Sequence, residues 1–335
     1  MRRRCKSQTK GRDEKMSGTR RTIWSNVSYD EAVMEFLRSG LGEHRWVRAT
    51  GDAAADAAAL REAEIAFGQP DPRIVPEAVG LMWIHVDSAG YDRYEAAEVR
   101  AALGARGGVL TNSSSVYDEP CAQHALAMML SLARRLPQSH AVQATDRSWP
   151  MNELRADAFL LNGQTALVLG YGAIGRRLTE LLAPFGMKVI GLRRRPAGDE
   201  RAQMISEAEL DEALSRADHV ISILPGGGGT RSYLDAAKFG RMKPGAIFYN
   251  IGRGTTVDQP ALLEALAAGP LAAAFLDVTD PEPLPPEHPL WTAPNCFITP
   301  HTAGGHIGEK ERLVRLFLDN LRRFEAGEAL AGRVL

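Results

Sequence analysis

Short apolar runs alternate with helical periods along almost the whole chain. From Thr22 onward, TIWSN, HRWVRA, EIAFG, MWIHVD and GVLTN each have the length and the β-branched or aromatic content of a buried strand. Between them, DEAVMEFLRSG and YEAAEVRAALGARG start polar and close on glycine, as helices do. A second series begins near Asn162, with strand candidates TALVLG, KVIGLR, DHVISILP, AIFYNIG, AAAFLDV and NCFITPH. Helices starting near Ala173, Glu207, Tyr233 and Asp258 separate these strands. Such alternation predicts parallel sheets covered by helices, so the expected fold is α/β in two domains.

Three segments fall outside that rhythm. CAQHALAMMLSLARRLP predicts a long, nearly all-apolar helix stopped by Pro137, which suits either a domain-spanning core or a subunit interface. ATDRSWPMNELRAD is polar and interrupted by proline, and it marks the domain boundary. GEKERLVRLFLDNLRRFEAG predicts a C-terminal helix that packs back on the first domain. The expected division is a first domain of 22–147, joined by 303–335, and a second of 148–302.

Composition narrows the class. The 335 residues are 44% hydrophobic and 24% charged, in the range of globular proteins. No apolar run approaches the ~20 residues that span a bilayer. Cys5, Cys121 and Cys296 are scattered without a CxxC pair, so a reducing, cytoplasmic setting is expected and no metal site. Residues 1–21 carry nine Lys or Arg against Asp13 and Glu14. This arm lacks helical period and has no aromatic residue, which favours a disordered extension over a nucleic-acid-binding one. It has no signal-peptide core, and its acidic pair argues against a transit peptide. Neither nucleic acid nor membrane is expected as a partner.

The first chemical signal is Gly170-Tyr171-Gly172-Ala173-Ile174-Gly175. GxGxxG alone is weak, but here it follows an apolar strand and opens a helix with Leu178, Leu181 and Leu182 on one face. Gly170 would allow the turn, Gly172 the approach of a pyrophosphate, and Gly175 close helix–strand packing. The helix start, at Ala173 and Ile174, would hold the phosphate charge. The next strand ends on Arg193-Arg194-Arg195, 18 positions after Gly175, where an acid would read the ribose 2′-OH of NAD. With no carboxylate at that position, Arg193 and Arg194 are read as partners of the 2′-phosphate of NADP. A solvated basic loop is the alternative.

Further on, FYNIGRGTTVD sets Arg253 between two glycines at a strand end, where a planar guanidinium suits a carboxylate. Asp277 ends the next strand, Glu282 lies in a proline-rich loop, and His301 ends the last strand. Three such groups at successive strand ends beside a nucleotide loop point to chemistry.

At these residues the chain resembles the D-isomer-specific 2-hydroxyacid dehydrogenases. The resemblance rests on LVLGYGAIG, MKPGAIFYNIGRGTTVDQPALLEAL, LDVTDPEPLPPEHPLW and ITPHTAGG, and it covers nearly everything after Thr22. TNSSSVYDEPCAQHALAMMLSLARRLP is similar to the family's interdomain helix, with Gln123 where Glu is more usual. The resemblance implies a Rossmann-type dinucleotide-binding domain and a flavodoxin-like substrate domain flanking a cleft, and a homodimer. It implies that Arg253 holds the carboxylate and carbonyl oxygen of a small 2-keto acid, that His301 is the general acid and that Glu282 pairs with it. Asp277 would position the nicotinamide, Pro225 and Ile251 would face the cofactor, and the backbone of Ala89 and Gly90 would hold the carboxylate.

The chemistry fits those roles. Hydride addition to a 2-keto acid builds charge on the carbonyl oxygen, which Arg253 would stabilise and His301 protonate. A carboxylate beside the imidazole favours its charged form. His306 is a rival acid placed at the start of a helix, and His124 reads as a hydrogen-bonded core residue. The expected reaction is reduction of glyoxylate or hydroxypyruvate to a D-2-hydroxy acid, with NADP preferred and NAD possible. Formate dehydrogenases carry Gln where this chain has Glu282, while short phosphoglycerate dehydrogenases and non-catalytic dinucleotide sensors of the same fold stay open. The substrate's side chain would be chosen near Ser88–Tyr91 and around Trp291, for which plain packing is the other reading.

Overall fold

The computed structural model describes residues 20–196, 198–227 and 229–335, so most of the basic arm lies outside the described residues. The first series folds as β1 (Thr22–Ser25), α1 (Glu31–Gly40), β2 (Arg45–Arg48), α2 (Ala53–Arg61), β3 (Ile65–Phe67), β4 (Trp83–His85), α3 (Ala97–Ala105) and β5 (Val109–Thr111). The strands form one parallel sheet in the order β2-β1-β3-β4-β5, the flavodoxin-like winding. Asp30 and Asp52 start α1 and α2 by accepting from the N–H groups of Val33 and Ala55.

Three helices follow: α4 (Ser114–Ala133), α5 (Leu136–Ala144) and α6 (Met151–Asp157). The second series is β6 (Thr165–Leu169), α7 (Ala173–Leu182), β7 (Lys188–Leu192), β8 (Gln203–Ile205), α8 (Leu210–Arg216), β9 (His219–Ser222), α9 (Ala236–Arg241), β10 (Ala246–Asn250), α10 (Gln259–Ala267), β11 (Leu271–Leu276) and β12 (Cys296–Ile298). Its seven parallel strands lie in the order β12-β11-β10-β9-β6-β7-β8. The chain reverses direction of winding between β6 and β9, the switch point where open α/β sheets bind ligands. The C-terminal helix α11 (Glu309–Ala326) returns to α1, where Phe317, Leu318 and Leu321 pack with Leu37 and Trp83.

Three differences from the sequence expectation have physical causes. The long apolar helix starts seven residues earlier than Cys121 and runs through Pro120. An internal proline costs about 3 kcal/mol, but Ala122, Ala125, Met129 and Leu132 are buried in one core with Leu178 and Leu182 of α7, and that packing outweighs it. The helix is thereby a core element and not an exposed face. It also stops before Pro137: Arg135 turns left-handed at φ 55, and Pro137 falls in the first turn of α5, where its missing N–H costs nothing. Finally, β8 is a three-residue edge strand with only Ile205 buried, too short and too polar to stand out as an apolar run.

Candidate active site

The C-terminal ends of β6, β9, β10, β11 and β12 are neighbours in the second sheet, and each carries one part of the site. At the end of β6, Gly170 sits at φ +88, and a Cβ there would meet the backbone oxygen of Ile223 at 2.8 Å. Glycine is thus required twice over, by its conformation and by the strand crossing beside it. A Cβ on Gly172 would meet only the Gly170 carbonyl oxygen, at 4.0 Å, while one on Gly175 would press on Val168 at 3.1 Å. α7 begins here without a capping side chain, so the first N–H groups, at Ala173 and Ile174, face the loop unpartnered by the helix. An anion placed there would meet those donors and the positive end of the helix dipole.

At the end of β7 the three arginines are exposed. The expectation of a strand end without a carboxylate needs correction in three dimensions. The chain folds back so that Glu200 Oε1 lies 3.4 Å from Arg193 Nη1, and Asp199 Oδ1 3.0 Å from Arg176 Nη2. The same Glu200 accepts from the N–H of Gly198, which fixes this small loop.

Arg253 follows β10, and its two flanking glycines now have a reason. A Cβ on Gly252 would come within 2.6 Å of the Leu224 carbonyl, and one on Gly254 within 1.9 Å of the Thr279 carbonyl. The arginine is therefore wedged between the loops leaving β9 and β11. Its carbonyl accepts from Asn250 Nδ2 and Thr256 Oγ1, which holds the turn rigid. The guanidinium reaches across to the first domain, where it occupies the space that a side chain at Gly90 would fill. Gly90 and Ala89 have their carbonyls engaged by Ser88 Oγ and Asn112 Nδ2, so what the loop offers an anion is its N–H groups.

Beyond β11 the loop carries Glu282 between two cis X-Pro bonds, Asp280–Pro281 and Glu282–Pro283. Glu282 Oε1 accepts from the Thr279 N–H at 3.1 Å, and Oε2 lies 2.8 Å from His301 Nδ1. His301 itself is left-handed at φ 52, uncommon for a residue with a side chain, and its N–H is tied to the Asp277 carbonyl at 2.8 Å. About half of the imidazole is exposed, and with Nδ1 committed to Glu282 the ring nitrogen left to exchange a proton is Nε2.

Asp277 is buried at 2% exposure. Its Oδ1 accepts from Thr299 Oγ1 and the Thr302 N–H, its Oδ2 from the Ala303 N–H. This carboxylate holds the loop on which His301 stands, a contact that the sequence expectation of a nicotinamide ligand did not include. Behind it, His124 Nε2 lies 3.1 Å from Thr299 Oγ1. That hydroxyl gives its proton to Asp277, so His124 donates, in keeping with the hydrogen-bonded residue read from sequence. Burial pushes its pKa down, with Asp277 partly opposing. Burial also pushes the Cys121 thiol up to about 12, which leaves no thiolate near the cleft.

Pro225 is exposed just after β9, beside Gly226, and its carbonyl accepts from Thr230 Oγ1, while Ile251 is buried in the core beneath the cleft. His306 rests against Gly304 and Arg312, away from any carboxylate among its described contacts. Trp291 is 46% exposed, donates to the Pro285 carbonyl and lines a surface groove with Leu136, His140, Phe275 and Phe297. Sequence reading missed Asp92, whose Oδ2 stands 3.5 Å from Arg253 Nε. It also missed Asn250, Thr279 and Thr299, polar residues that become meaningful only when loops distant in sequence meet.

A glycine loop at the switch point, on the same sheet edge as a carboxylate–histidine pair and an arginine that reaches the first domain, defines the class of dinucleotide-dependent dehydrogenases. Residues 126–303 match the family described as D-isomer specific 2-hydroxyacid dehydrogenase, NAD binding domain. The chain belongs to that family. It is 35% identical over 253 residues to glyoxylate/hydroxypyruvate reductase B of Citrobacter koseri, covering 74% of each chain. A D-isomer specific 2-hydroxyacid dehydrogenase family protein from Aeromonas salmonicida superposes with a TM-score of 0.78 at 31% identity, over 95% of this chain and 99% of that one. An NADPH-dependent glyoxylate/hydroxypyruvate reductase from Sinorhizobium meliloti, in complex with NADP and malonate, gives 0.75 at 28% identity, over 94% and 97%. Among the described residues no helix is long and apolar enough to cross a membrane.

Proposed function

We propose that this enzyme transfers a hydride between NAD(P)H and a small 2-keto acid of the glyoxylate or hydroxypyruvate type, giving a D-2-hydroxy acid. The observation that carries the reading is the line of contact from Gly90 to Arg253, from its neighbour Gly254 to Thr279, and from Thr279 to Glu282 and His301. On this reading the first sheet with α11 forms the substrate half and the second sheet the nucleotide half, to which α4 belongs by its packing on α7, so the boundary expected near residue 147 moves back to the start of α4. Gly170, Gly172, Ala173, Ile174 and Gly175 would hold the pyrophosphate, with Pro225, Ile251 and Asp277 beside the nicotinamide end. The bound cofactor supplies the hydride to the carbonyl carbon. Arg253 would clamp the substrate's carboxylate and carbonyl oxygen, helped by the N–H groups of Ala89 and Gly90. His301 Nε2 would deliver the proton to the oxygen as its charge grows, and solvent in the open cleft would restore that proton. Steady-state loss of NADPH and NADH absorbance with a panel of 2-keto acids tests the reading. Turnover of glyoxylate or hydroxypyruvate supports it, and cofactor binding without turnover would favour a dinucleotide sensor.

Glu282 has a distinct signature. Glu282→Gln keeps the shape of the pair and removes its negative charge, so the protonated imidazole loses its ionic partner. Single-turnover reduction should slow by about tenfold or more while NADPH affinity is kept. An unchanged rate would detach Glu282 from the acid.

We also propose that NADP is preferred, through Arg193 and Arg194. Support comes from their exposure at the end of β7 and from the NADP bound in the Sinorhizobium relative. Glu200 tempers this, because it already shares Arg193. Charge-assisted bonds to a phosphate contribute roughly 1.5–3 kcal/mol each, so even one favours NADP by about tenfold. Arg193→Asp combined with Arg194→Ala should reverse that ratio of kcat/KM. Equal use of both cofactors before and after substitution would return these arginines to an ordinary loop.

A cytoplasmic homodimer completes the proposal. Since α4 is a core helix, the apolar surface available for a second subunit is on α5, α6 and their flanks, where Leu136, Trp149, Met151 and Leu160 are exposed.

A further inference from the structure

One carboxylate in the cleft is left unused by the chemistry above. Asp92 opens a 3-10 turn, Asp92–Tyr94, on the substrate half. Its Oδ2 lies 3.5 Å from Arg253 Nε, and a Cβ on Gly90 or Gly226 would come within 3.5 or 3.3 Å of the same oxygen. Asp92 thus stands between both halves of the molecule, directly on the guanidinium that the keto acid would need. Its neighbours do not offset it. Arg93 faces away, into the surface groove lined by Asp71 and Arg73. Glu95 adds a second acid at the rim, with Oε2 3.1 Å from the Cβ position of Gly227, and Arg100 lies 3.5 Å from its other oxygen.

We infer that Asp92 selects substrates by charge, admitting 2-keto acids with one acidic group and disfavouring those with a second. The inference rests on the function proposed above. Arg253 carries one positive charge, already shared with Asp92. A bound keto acid brings a second carboxylate to it, and a dicarboxylic substrate would bring a third into the same few ångströms. Like charges about 6 Å apart in a half-exposed cleft repel enough to change binding by tenfold or more. A neutral or hydroxyl-bearing tail meets no such penalty, and a hydroxyl can donate to Asp92, which as a carboxylate only accepts.

The test compares kcat/KM for hydroxypyruvate and for oxaloacetate in the wild type and in Asp92→Asn, which preserves shape. The wild type should use oxaloacetate at least about tenfold less well, and the variant should narrow that ratio by about fivefold or more. The same change should appear without turnover in the dissociation constants of malonate relative to glycolate on NADP-loaded protein. A ratio that moves less than about twofold, or equal use of both substrates by the wild type, overturns the inference while leaving the proposed reduction standing. Failure of the wild type to reduce either acid overturns the proposed function itself, and this inference with it.

Discussion

Replacing His301 with alanine should lower kcat for keto-acid reduction by about 10²–10⁴-fold, the range supplied by a positioned general acid. The size of the effect follows from what surrounds the ring. Nδ1 is committed to Glu282 at 2.8 Å, and the backbone is held in a left-handed turn by the Asp277 carbonyl. The imidazole therefore presents Nε2 to the cleft in one orientation, and no second imidazole can take its place. His306 is bound into the turn before α11, and His124 donates to Thr299 behind the loop. Cofactor affinity should be nearly unchanged, because the glycine loop lies at the end of β6, four strand positions from β12. Fluorescence titration with NADPH alongside single-turnover reduction separates the two quantities. A loss of cofactor affinity matching the loss of rate would make His301 a structural residue.

Arg253→Gln should raise KM for the keto acid and also lower kcat, with a combined loss in kcat/KM of about 10³-fold or more. Two events depend on the guanidinium. It would bind the carboxylate in the ground state, and it would stabilise the charge that appears on the carbonyl oxygen only as hydride arrives. Glutamine keeps a donor but loses both the charge and the planar fork. The fold of the loop should survive, because Asn250 and Thr256 hold the backbone carbonyl of residue 253 and not its side chain. Arg253→Lys restores charge without the fork and should recover only part of the rate. A variant with raised KM and intact kcat would confine Arg253 to ground-state binding.

Much of this cleft is legible in the sequence. Gly170 and Gly175 could be assigned because the motif has a required context, a strand before and a helix after. Arg253, Glu282 and His301 were visible as polar residues at the ends of apolar runs, where an α/β sheet places its ligands. What stayed hidden depends on contacts between segments far apart in sequence. Nothing in DSAGYDRYE reveals that Asp92 meets an arginine 161 positions later, or that Gly90 is small because that arginine fills its side-chain space. Asp277 was visible as a strand-end acid, but its hold on residues 299–303 required knowing that β11 and β12 are adjacent. Glu200 was missed for the same reason, since only the return of the chain after Arg195 brings it to Arg193. The start of α4 was hidden for the opposite reason, because local propensity disfavours a helix through Pro120 and packing against α7 permits it.

The central claim is that this cleft reduces the carbonyl of a 2-keto acid with a hydride from the nicotinamide, on the face that gives a D product. Incubation of the protein with NADPH and hydroxypyruvate, followed by chiral chromatography of the glycerate formed, tests it most directly. The account predicts D-glycerate equal in amount to the NADPH consumed, and none from the His301→Ala, Arg253→Gln double variant over the same time. L-glycerate, or NADPH consumed without glycerate, would contradict it.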